Sequence, residues 1–162
     1  MPNETGPHAF VAAIDRLMSL AQLWSNETAV FHEAAAERLG LNITDTKTLS
    51  ILLQETKLSA GKLAERLGLT TGAVTSVIDR LEKRGFVRRI PHPIDRRKVL
   101  VQLQPANMQE AFKVYESIGR ATRELYEGMS LEQLDFLAEY YQKATELAQE
   151  ETAKLKSRKF SL

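Results

Sequence analysis

The chain has 162 residues, of which 43% are apolar and 27% are charged, and its net charge is +1, values typical of a globular domain. It contains no cysteine, which excludes disulfides, thiolate nucleophiles and cysteine-based redox sensing and fits a reducing cytoplasm. It contains no run of 18 apolar residues, so no membrane-spanning helix is predicted.

The first part of the chain predicts a loose segment followed by two helices. Residues 1–9 contain two prolines and a glycine and are expected to be flexible. Apolar residues recur at three- and four-residue steps over residues 10–40, which predicts one long helix that ends at Gly40. A second helix is predicted from Thr44, as N-cap, to about Thr56. Its inward face is predicted to consist of Leu49, Leu52 and Leu53.

Residues 59–85 predict two helices joined by a tight turn, which is the helix-turn-helix arrangement. Ser59 is a suitable N-cap for a short helix, and Gly68 ends it. The second helix is predicted to begin at Thr70 or Thr71 and to end at Gly85.

Two short strands are predicted next, at residues 86–90 and 99–103, on either side of the octet HPIDRRKV. A helix-turn-helix followed by a β-hairpin is a winged helix. Beyond Pro105 two more helices are predicted, and Ser130 with Gln133 forms a capping box at the start of the last. The fold class is therefore mainly α with a small β-hairpin wing, in the order α-α-α-α-β-β-α-α.

The predicted helix 70–84 has two distinct faces on a wheel of 100° per residue. The stripe expected to pack inward consists of Val74, Val77, Ile78 and Leu81. The opposite face carries Gly72, Ser76, Asp79 and Lys83, flanked by Ala73, Thr75 and Arg80. Small residues let a helix approach base edges, and hydroxyls hydrogen-bond to bases and phosphates, so this face suits a DNA major groove. A solvent-exposed helix with Ser and Thr acting only as caps remains an alternative. Asp79 is repelled by DNA, and either a pair with Lys83 or a cytosine amino group is a possible partner.

The hairpin tip suggests a second DNA contact. Residues 59–104 hold ten Lys or Arg and four acidic residues, so their net charge is +6, whereas the rest of the chain has a net charge of −5. Such asymmetry favours a polyanionic partner, although chance clustering explains it about equally well. Arg96 or Arg97 could enter a minor groove narrowed by A·T pairs, with Asp95 holding one arginine in place. The alternative is an ordinary solvated hairpin tip, and the sequence leaves open whether His92 contacts DNA.

The segment LAERLGLTTGAVTSVIDRLEKRGFVRR, with PIDRR and VLVQLQP after it, resembles the MarR family of bacterial and archaeal transcription regulators. The resemblance covers residues 10–150, and VIDRLEKRGFVRR and the D-R-R wing are its most specific parts. It implies a MarR-type domain over residues 10–155 with a DNA-binding module at 59–104. It also implies dimerisation helices at 10–40 and 106–160. Family membership further implies a cytoplasmic, nucleoid-associated homodimer that represses promoters and releases DNA when a small phenolic or anionic ligand binds.

The helix face and the resemblance together predict the DNA-binding residues. On the recognition helix they are Thr70, Thr71, Gly72, Ala73, Thr75, Ser76, Arg80 and Lys83. On the wing they are His92, Asp95, Arg96, Arg97 and Lys98.

The terminal helices carry more apolar residues than a module of this size needs to bury, which also predicts a dimer. The residues assigned to the interface are Phe10, Val11, Ile14, Leu17, Leu147, Leu155 and Phe160. Packing of these residues within one chain is the alternative. Trp24 and His32 are candidates for a ligand pocket, although Trp24 suits an ordinary core position better.

No enzyme activity, cofactor or metal is predicted. The sequence lacks a glycine-rich phosphate loop and a triad pattern, and His8, His32 and His92 are far apart in sequence and form no i, i+4 metal pair. Two other functions remain open: an architectural DNA-binding protein without sequence preference, and a helical module that docks on a protein partner.

Overall fold

The computed structural model describes residues 6–95 and 99–157, which form six helices, three strands and one 3₁₀ turn. In chain order these are α1 (Pro7–Arg38), α2 (Ile43–Glu55), β1 (Lys57–Ser59), α3 (Ala60–Leu67), α4 (Thr71–Lys83), β2 (Val87–Pro91), β3 (Val99–Leu103), the 3₁₀ turn (Pro105–Met108), α5 (Gln109–Glu127) and α6 (Leu131–Ser157). The predicted fold class, mainly α with a β-hairpin wing, is confirmed. The chain divides into two compact units, one up to Tyr115 and one from Glu116.

α1 begins earlier than the sequence pattern predicts. Its first residue is Pro7, so residues 7–9 are helical and not loose. Proline suits the first helical position because its fixed φ is already helical and its missing N–H would have no helical partner there. The predicted end is confirmed, since Gly40 follows the C-cap and adopts the left-handed conformation with φ of +62°.

The start of α2 differs from the prediction in its capping residue. The N-cap is Asn42, not Thr44: its side chain accepts a hydrogen bond from the Asp45 amide at 2.9 Å. The Asp45 carboxylate accepts one from the Asn42 amide at 3.3 Å, which completes a capping box. Leu49 and Leu52 are buried as predicted, whereas Leu53 is 46% exposed in the last turn, so its inward assignment is wrong.

The strand β1 was not predicted. The sheet has the order β1-β3-β2 with antiparallel pairing throughout, so β3 is central, and Val101 pairs with Leu58 on one side and Arg89 on the other. A three-residue strand carries no usable periodicity and forms here because β3 supplies its hydrogen-bonding partner. As a result, β1, which directly precedes α3, is hydrogen-bonded to the wing strand β3.

The core lies among α2, α3, α4 and the sheet. The predicted inward stripe of α4 is confirmed, since Val74, Val77, Ile78 and Leu81 are all buried. Burying each such side chain contributes about 1.5–3 kcal/mol. This stripe fixes the rotation of α4 about its axis and so determines which of its residues face outward.

The unit from Glu116 contains most of α5 and all of α6. The predicted capping box is confirmed: Ser130 donates its amide to Gln133 Oε1 at 2.9 Å, and Gln133 donates its amide to Ser130 Oγ at 3.2 Å. No described residue of α6 is buried. In the described ranges no helix combines the length and apolar character needed to cross a bilayer.

Candidate nucleic-acid interface

The turn between α3 and α4 is built from local capping interactions. Ser59 Oγ accepts a hydrogen bond from the Lys62 amide at 3.3 Å, as predicted for the N-cap of α3. Gly68 ends α3 in the left-handed conformation with φ of +68°. Thr70 then caps α4 by accepting from the Ala73 amide at 3.3 Å. These contacts set the direction in which α4 leaves the turn.

The outward face at the N-terminal end of α4 is small and bears hydroxyls. The exposed residues of this face, which we call the hydroxyl face, are Thr70, Thr71, Gly72, Ala73, Thr75 and Ser76. A Cβ atom added at Gly72 would meet no atom within 4 Å. Thr75 Oγ1 donates its proton to the Thr71 carbonyl at 2.9 Å, and Ser76 Oγ donates to the Gly72 carbonyl at 3.3 Å. Both hydroxyls therefore present acceptor lone pairs to the outside.

One flank of α4 is tied to the start of α2. Arg80 Nε donates to both carboxylate oxygens of Asp45, at 3.1 and 2.9 Å, and Nη2 donates to Oδ1 at 2.6 Å. Asp45 is only 1% exposed, and its hydrogen bond raises the pKa of Arg80 although burial acts in the opposite direction. The sequence places Arg80 at the DNA groove; the structure gives its guanidinium a protein partner, and a direct DNA contact stays a prediction.

Arg84, one turn later, is tied to the end of α1. Its guanidinium donates to the Leu39 carbonyl at 2.7 Å and to the Gly40 carbonyl at 2.9 Å. Both are C-terminal carbonyls that the helix itself leaves without partners. The φ of +62° favours a glycine at position 40, and a Cβ there would lie 3.0 Å from Arg84 Nη1, so the guanidinium would have to shift by a few tenths of an ångström. Sequence reasoning missed this contact.

The other flank of α4 is tied to the wing strand β2. Arg89 Nη2 lies 2.5 Å from Asp79 Oδ1, and Nη1 pairs with the carboxylate of Glu82. The Arg89 amide also donates to Glu82 Oε1 at 2.8 Å. Burial acts to lower the pKa of Arg89, but the hydrogen bonds to the two carboxylates outweigh it and the pKa is raised. The partner of Asp79 is thus Arg89, not Lys83.

At the wing, His92 folds back on its own loop. Its Nδ1 accepts hydrogen bonds from the amides of Ile94 and Asp95, at 3.3 and 3.2 Å. An accepting Nδ1 carries no proton, so the ring presents the other nitrogen, Nε2, to its surroundings. The predicted DNA contacts Arg96, Arg97 and Lys98 lie outside the described residues, and with them the arginine that Asp95 is predicted to hold.

The apolar residues assigned to dimerisation are exposed. Phe10, Val11, Ile14 and Leu17 on α1, and Leu147 and Leu155 on α6, are each more than 40% exposed, and Phe160 lies outside the described residues. Each helix therefore carries an apolar face that its own unit does not cover.

The two pocket candidates on α1 have different surroundings. Trp24 is 59% exposed and so is not core within its unit. His32 Nδ1 lies 3.4 Å from Tyr115 Oη, and both rings pack against Phe31 with centroid distances of 5.6–5.8 Å. Burial raises the pKa of the Tyr115 hydroxyl above its ordinary value. Phe31 and Tyr115 were not singled out from the sequence.

Metal-binding arrangements are missing from the described part of the chain. Within residues 6–95 and 99–157, no three His, Asp or Glu side chains lie close enough together to hold a metal ion.

A winged helix-turn-helix with a small polar face on its second helix is typical of DNA-binding proteins. The MarR family model matches residues 41–99. The HTH-type transcriptional regulator YcgE of Bacillus subtilis is 36% identical over 129 residues, which cover 80% of this chain and 84% of that protein. The chain belongs to the MarR family, and it is a DNA-binding transcriptional regulator and not an enzyme.

Solved structures agree with this assignment at the level of the fold. RV1404 from Mycobacterium tuberculosis aligns with a TM-score of 0.63 at 23% identity, over 83% of this chain and 93% of that one. A mutant of MarR from E. coli, complexed with operator DNA, aligns with a TM-score of 0.55 at 22% identity, over 82% of this chain and 95% of that one. The winged-helix fold is therefore confirmed.

Proposed function

We propose that the protein is a homodimeric, sequence-specific repressor that binds a pseudo-palindromic operator in double-stranded DNA and is released by a small-molecule ligand. The observation that carries the proposal is the hydroxyl face of α4, which is exposed while the opposite stripe is buried. A helix with small, hydrogen-bonding side chains on its exposed face suits the reading of bases in the major groove. Its place of action is the cytoplasm, on the DNA of the nucleoid.

The proposed DNA contacts fall on two elements. On α4 they are the hydroxyl face and Lys83, with Arg80 at the edge of this surface. On the wing they are His92, Asp95, Arg96, Arg97 and Lys98. Of these, Arg96 or Arg97 is proposed to enter the minor groove. The module of residues 59–104 carries a charge of +6, which supports attraction to the phosphate backbone.

Dimerisation is supported by the exposed apolar faces of α1 and α6. Large exposed apolar patches are rare in monomeric proteins, because they favour association. A two-fold dimer would place its two α4 helices about 34 Å apart, one turn of DNA, and so would read an inverted repeat.

The E. coli MarR mutant noted above is complexed with operator DNA, which supports the same class of partner for this chain.

The proposed effector is a small phenolic or otherwise anionic molecule that binds near Trp24 and His32. The exposed ring of Trp24 and the aromatic contacts of His32 with Phe31 and Tyr115 support this location. A ring-shaped ligand gains from aromatic packing, and the Tyr115 hydroxyl offers a hydrogen-bond donor.

The test is a comparison of duplexes in gel shifts at about 0.15 M salt, since affinity for DNA depends strongly on salt. Inverted repeats from the DNA upstream of the protein's own gene are compared with random duplex of equal length. The proposal predicts that one repeat binds about 10³-fold or more tightly than random DNA. Equal affinity for both would favour an architectural protein instead, and no binding to either would favour a protein-interaction module.

A further inference from the structure

The charged side chains Asp79, Arg80 and Glu82 of α4, and Arg84 at its C-cap, are paired with groups of the protein. Arg80 is held by Asp45, and Arg84 by carbonyls at the end of α1. Asp79 and Glu82 are both held by Arg89. The commonest way to read guanine in the major groove is a bidentate Arg or Lys contact to O6 and N7. In the first ten residues of α4, Thr71 to Arg80, the single basic residue is Arg80, and Asp45 already occupies its Nε and Nη2.

On the N-terminal part of α4, from Thr71 to Ser76, the exposed groups are hydroxyls and methyls. Thr75 and Ser76 give their protons to backbone carbonyls of their own helix, so each presents acceptor lone pairs outward. An acceptor pairs with a donor, and the donors in the major groove are the N6 amino group of adenine and the N4 amino group of cytosine. Guanine, which presents only acceptors there, is not matched by these hydroxyls.

Methyl groups decide between the two donors. Ala73 and the side chains of Thr71 and Thr75 place methyls on the same exposed surface, and Gly72 leaves room for close approach. The thymine of an A·T pair carries a methyl in the major groove, whereas a G·C pair has none. An A·T pair therefore matches this surface through both its amino group and its methyl, and a G·C pair through its amino group alone.

We infer that the hydroxyl face of α4 reads A·T base pairs, accepting hydrogen bonds from adenine N6 amino groups at Thr75 and Ser76 and packing threonine and alanine methyls on thymine methyls. The inference rests on the proposed function, since it names the bases that a sequence-specific regulator with this helix selects. Arg80 acts in it as a positioning residue, through Asp45, and not as a reader of guanine.

The experiment starts from the full-length protein and a pool of random duplexes, from which bound sequences are selected. Single bases of the selected half-site are then replaced by analogues: uracil for thymine removes the methyl, purine for adenine removes the amino group, and 7-deazaguanine for guanine removes N7. The expected result is that uracil and purine at the positions facing α4 each lower affinity about 10-fold, and that 7-deazaguanine there changes it less than about 2-fold.

Two substitutions at one position separate the two contacts. Thr75→Val keeps a methyl and loses the hydroxyl. In this variant, purine in place of the adenine that Thr75 contacts should no longer lower affinity, whereas uracil in place of thymine should still lower it. Thr75→Ser keeps the hydroxyl and loses the methyl, so it should do the reverse. Comparing each analogue between wild type and variant cancels its effect on the duplex itself. Thr152→Val on α6 removes a hydroxyl with the same kind of backbone hydrogen bond and should change neither effect.

The outcomes separate this inference from the proposed function. If a half-site is selected but the positions coupled to Thr75 are G·C pairs sensitive to 7-deazaguanine, the A·T inference is wrong and the regulator remains sequence-specific. The inference is also wrong if Thr75→Val and Thr75→Ser lose the same analogue effects. If no common half-site emerges from the selection, the proposed function itself fails.

Discussion

Arg80 and Asp45 form an ion pair whose two partners differ in their access to water. The Asp45 side chain is 1% exposed, whereas that of Arg80 is 43% exposed. If Asp45 is neutralised, Arg80 can turn to solvent. If Arg80 is removed, a carboxylate remains buried with one hydrogen bond from Asn42. Removal of Arg80 should therefore lower the free energy of unfolding more than neutralisation of Asp45.

This asymmetry gives a prediction for stability. Arg80→Met is expected to lower the free energy of unfolding by about 2–3 kcal/mol, because it leaves a buried charge without its partner. Asp45→Asn should cost less, about 1–2 kcal/mol. Arg66→Met, which removes a pair with the exposed Glu55, should cost less than about 1 kcal/mol. Urea unfolding of the three variants checks the order, and an Arg80→Met protein as stable as Arg66→Met would contradict it.

Gly40 is a second single residue on which the stability of the fold is expected to depend. Its φ of +62° disfavours any residue with a Cβ, and that Cβ would press on the Arg84 guanidinium at 3.0 Å. Gly40→Ala is therefore expected to lower the free energy of unfolding by about 1–2 kcal/mol.

A matched glycine serves as the control for this change. Gly61 lies in α3, where an added Cβ meets nothing within 4 Å. Gly61→Ala should stabilise the protein by up to about 1 kcal/mol, because alanine is the better helix former. Thermal unfolding measures both variants, and shifts of equal sign would show that the conformation at Gly40 does not matter.

At the scale of the elements, what the sequence predicts well are the features that depend on neighbouring residues. Ser59 and Gly68 as caps, the stripe from Val74 to Leu81 and the Ser130–Gln133 capping box are all set within a few residues of the chain, and the structure confirms them. The N-cap of α2 is an exception: the sequence pattern predicts Thr44, whereas the structure has Asn42, whose reciprocal bonds with Asp45 form a capping box.

Several features that sequence reasoning missed join distant parts of the chain. Arg84 and Leu39 are 45 residues apart, and Arg80 and Asp45 are 35 apart. β1 exists because β3, more than 40 residues later, supplies its partner. Such contacts leave no periodic trace in one sequence, so the exposed face of α4 could be predicted while the ties that hold α4 in place could not.

The tie between α4 and β2 gives a prediction for DNA binding. Arg89 links Asp79 and Glu82 of α4 to the wing strand. Arg89→Met should lower operator affinity about 5–10-fold, since the wing and α4 would no longer be held in one orientation. It should cost less than about 1 kcal/mol in stability, because the pairs are partly exposed.

Arg88→Met is the matched control for this prediction. It removes the same charge from the adjacent position of β2, where Arg88 bonds to Gln102 within the sheet and not to α4. Fluorescence anisotropy with labelled operator measures both variants. Equal losses for Arg88→Met and Arg89→Met would mean that charge, and not the tie to α4, accounts for the effect.

For the whole molecule, the exposed apolar residues of α6 predict how assembly depends on a single side chain. Leu147→Lys should convert the proposed dimer to monomer and lower operator affinity by at least about 10-fold, since a monomer contacts one half-site only. Gln149→Lys, which places the same charge on another face of α6, should leave the dimer intact. Sedimentation velocity across a range of protein concentrations measures both, and a monomeric wild type would contradict the prediction.

The length of α1 has a mechanical consequence. Its 32 residues form a rod about 48 Å long, and Arg84 holds the carbonyls just beyond its final turn. A tilt of about 5° around the first turn would move those carbonyls by about 4 Å, which is further than the 2.7 Å bond to Leu39 can stretch. If α1 stays straight, a small rotation at its first turn would therefore either break the hydrogen bonds of Arg84 to Leu39 and Gly40 or move α4 together with α1.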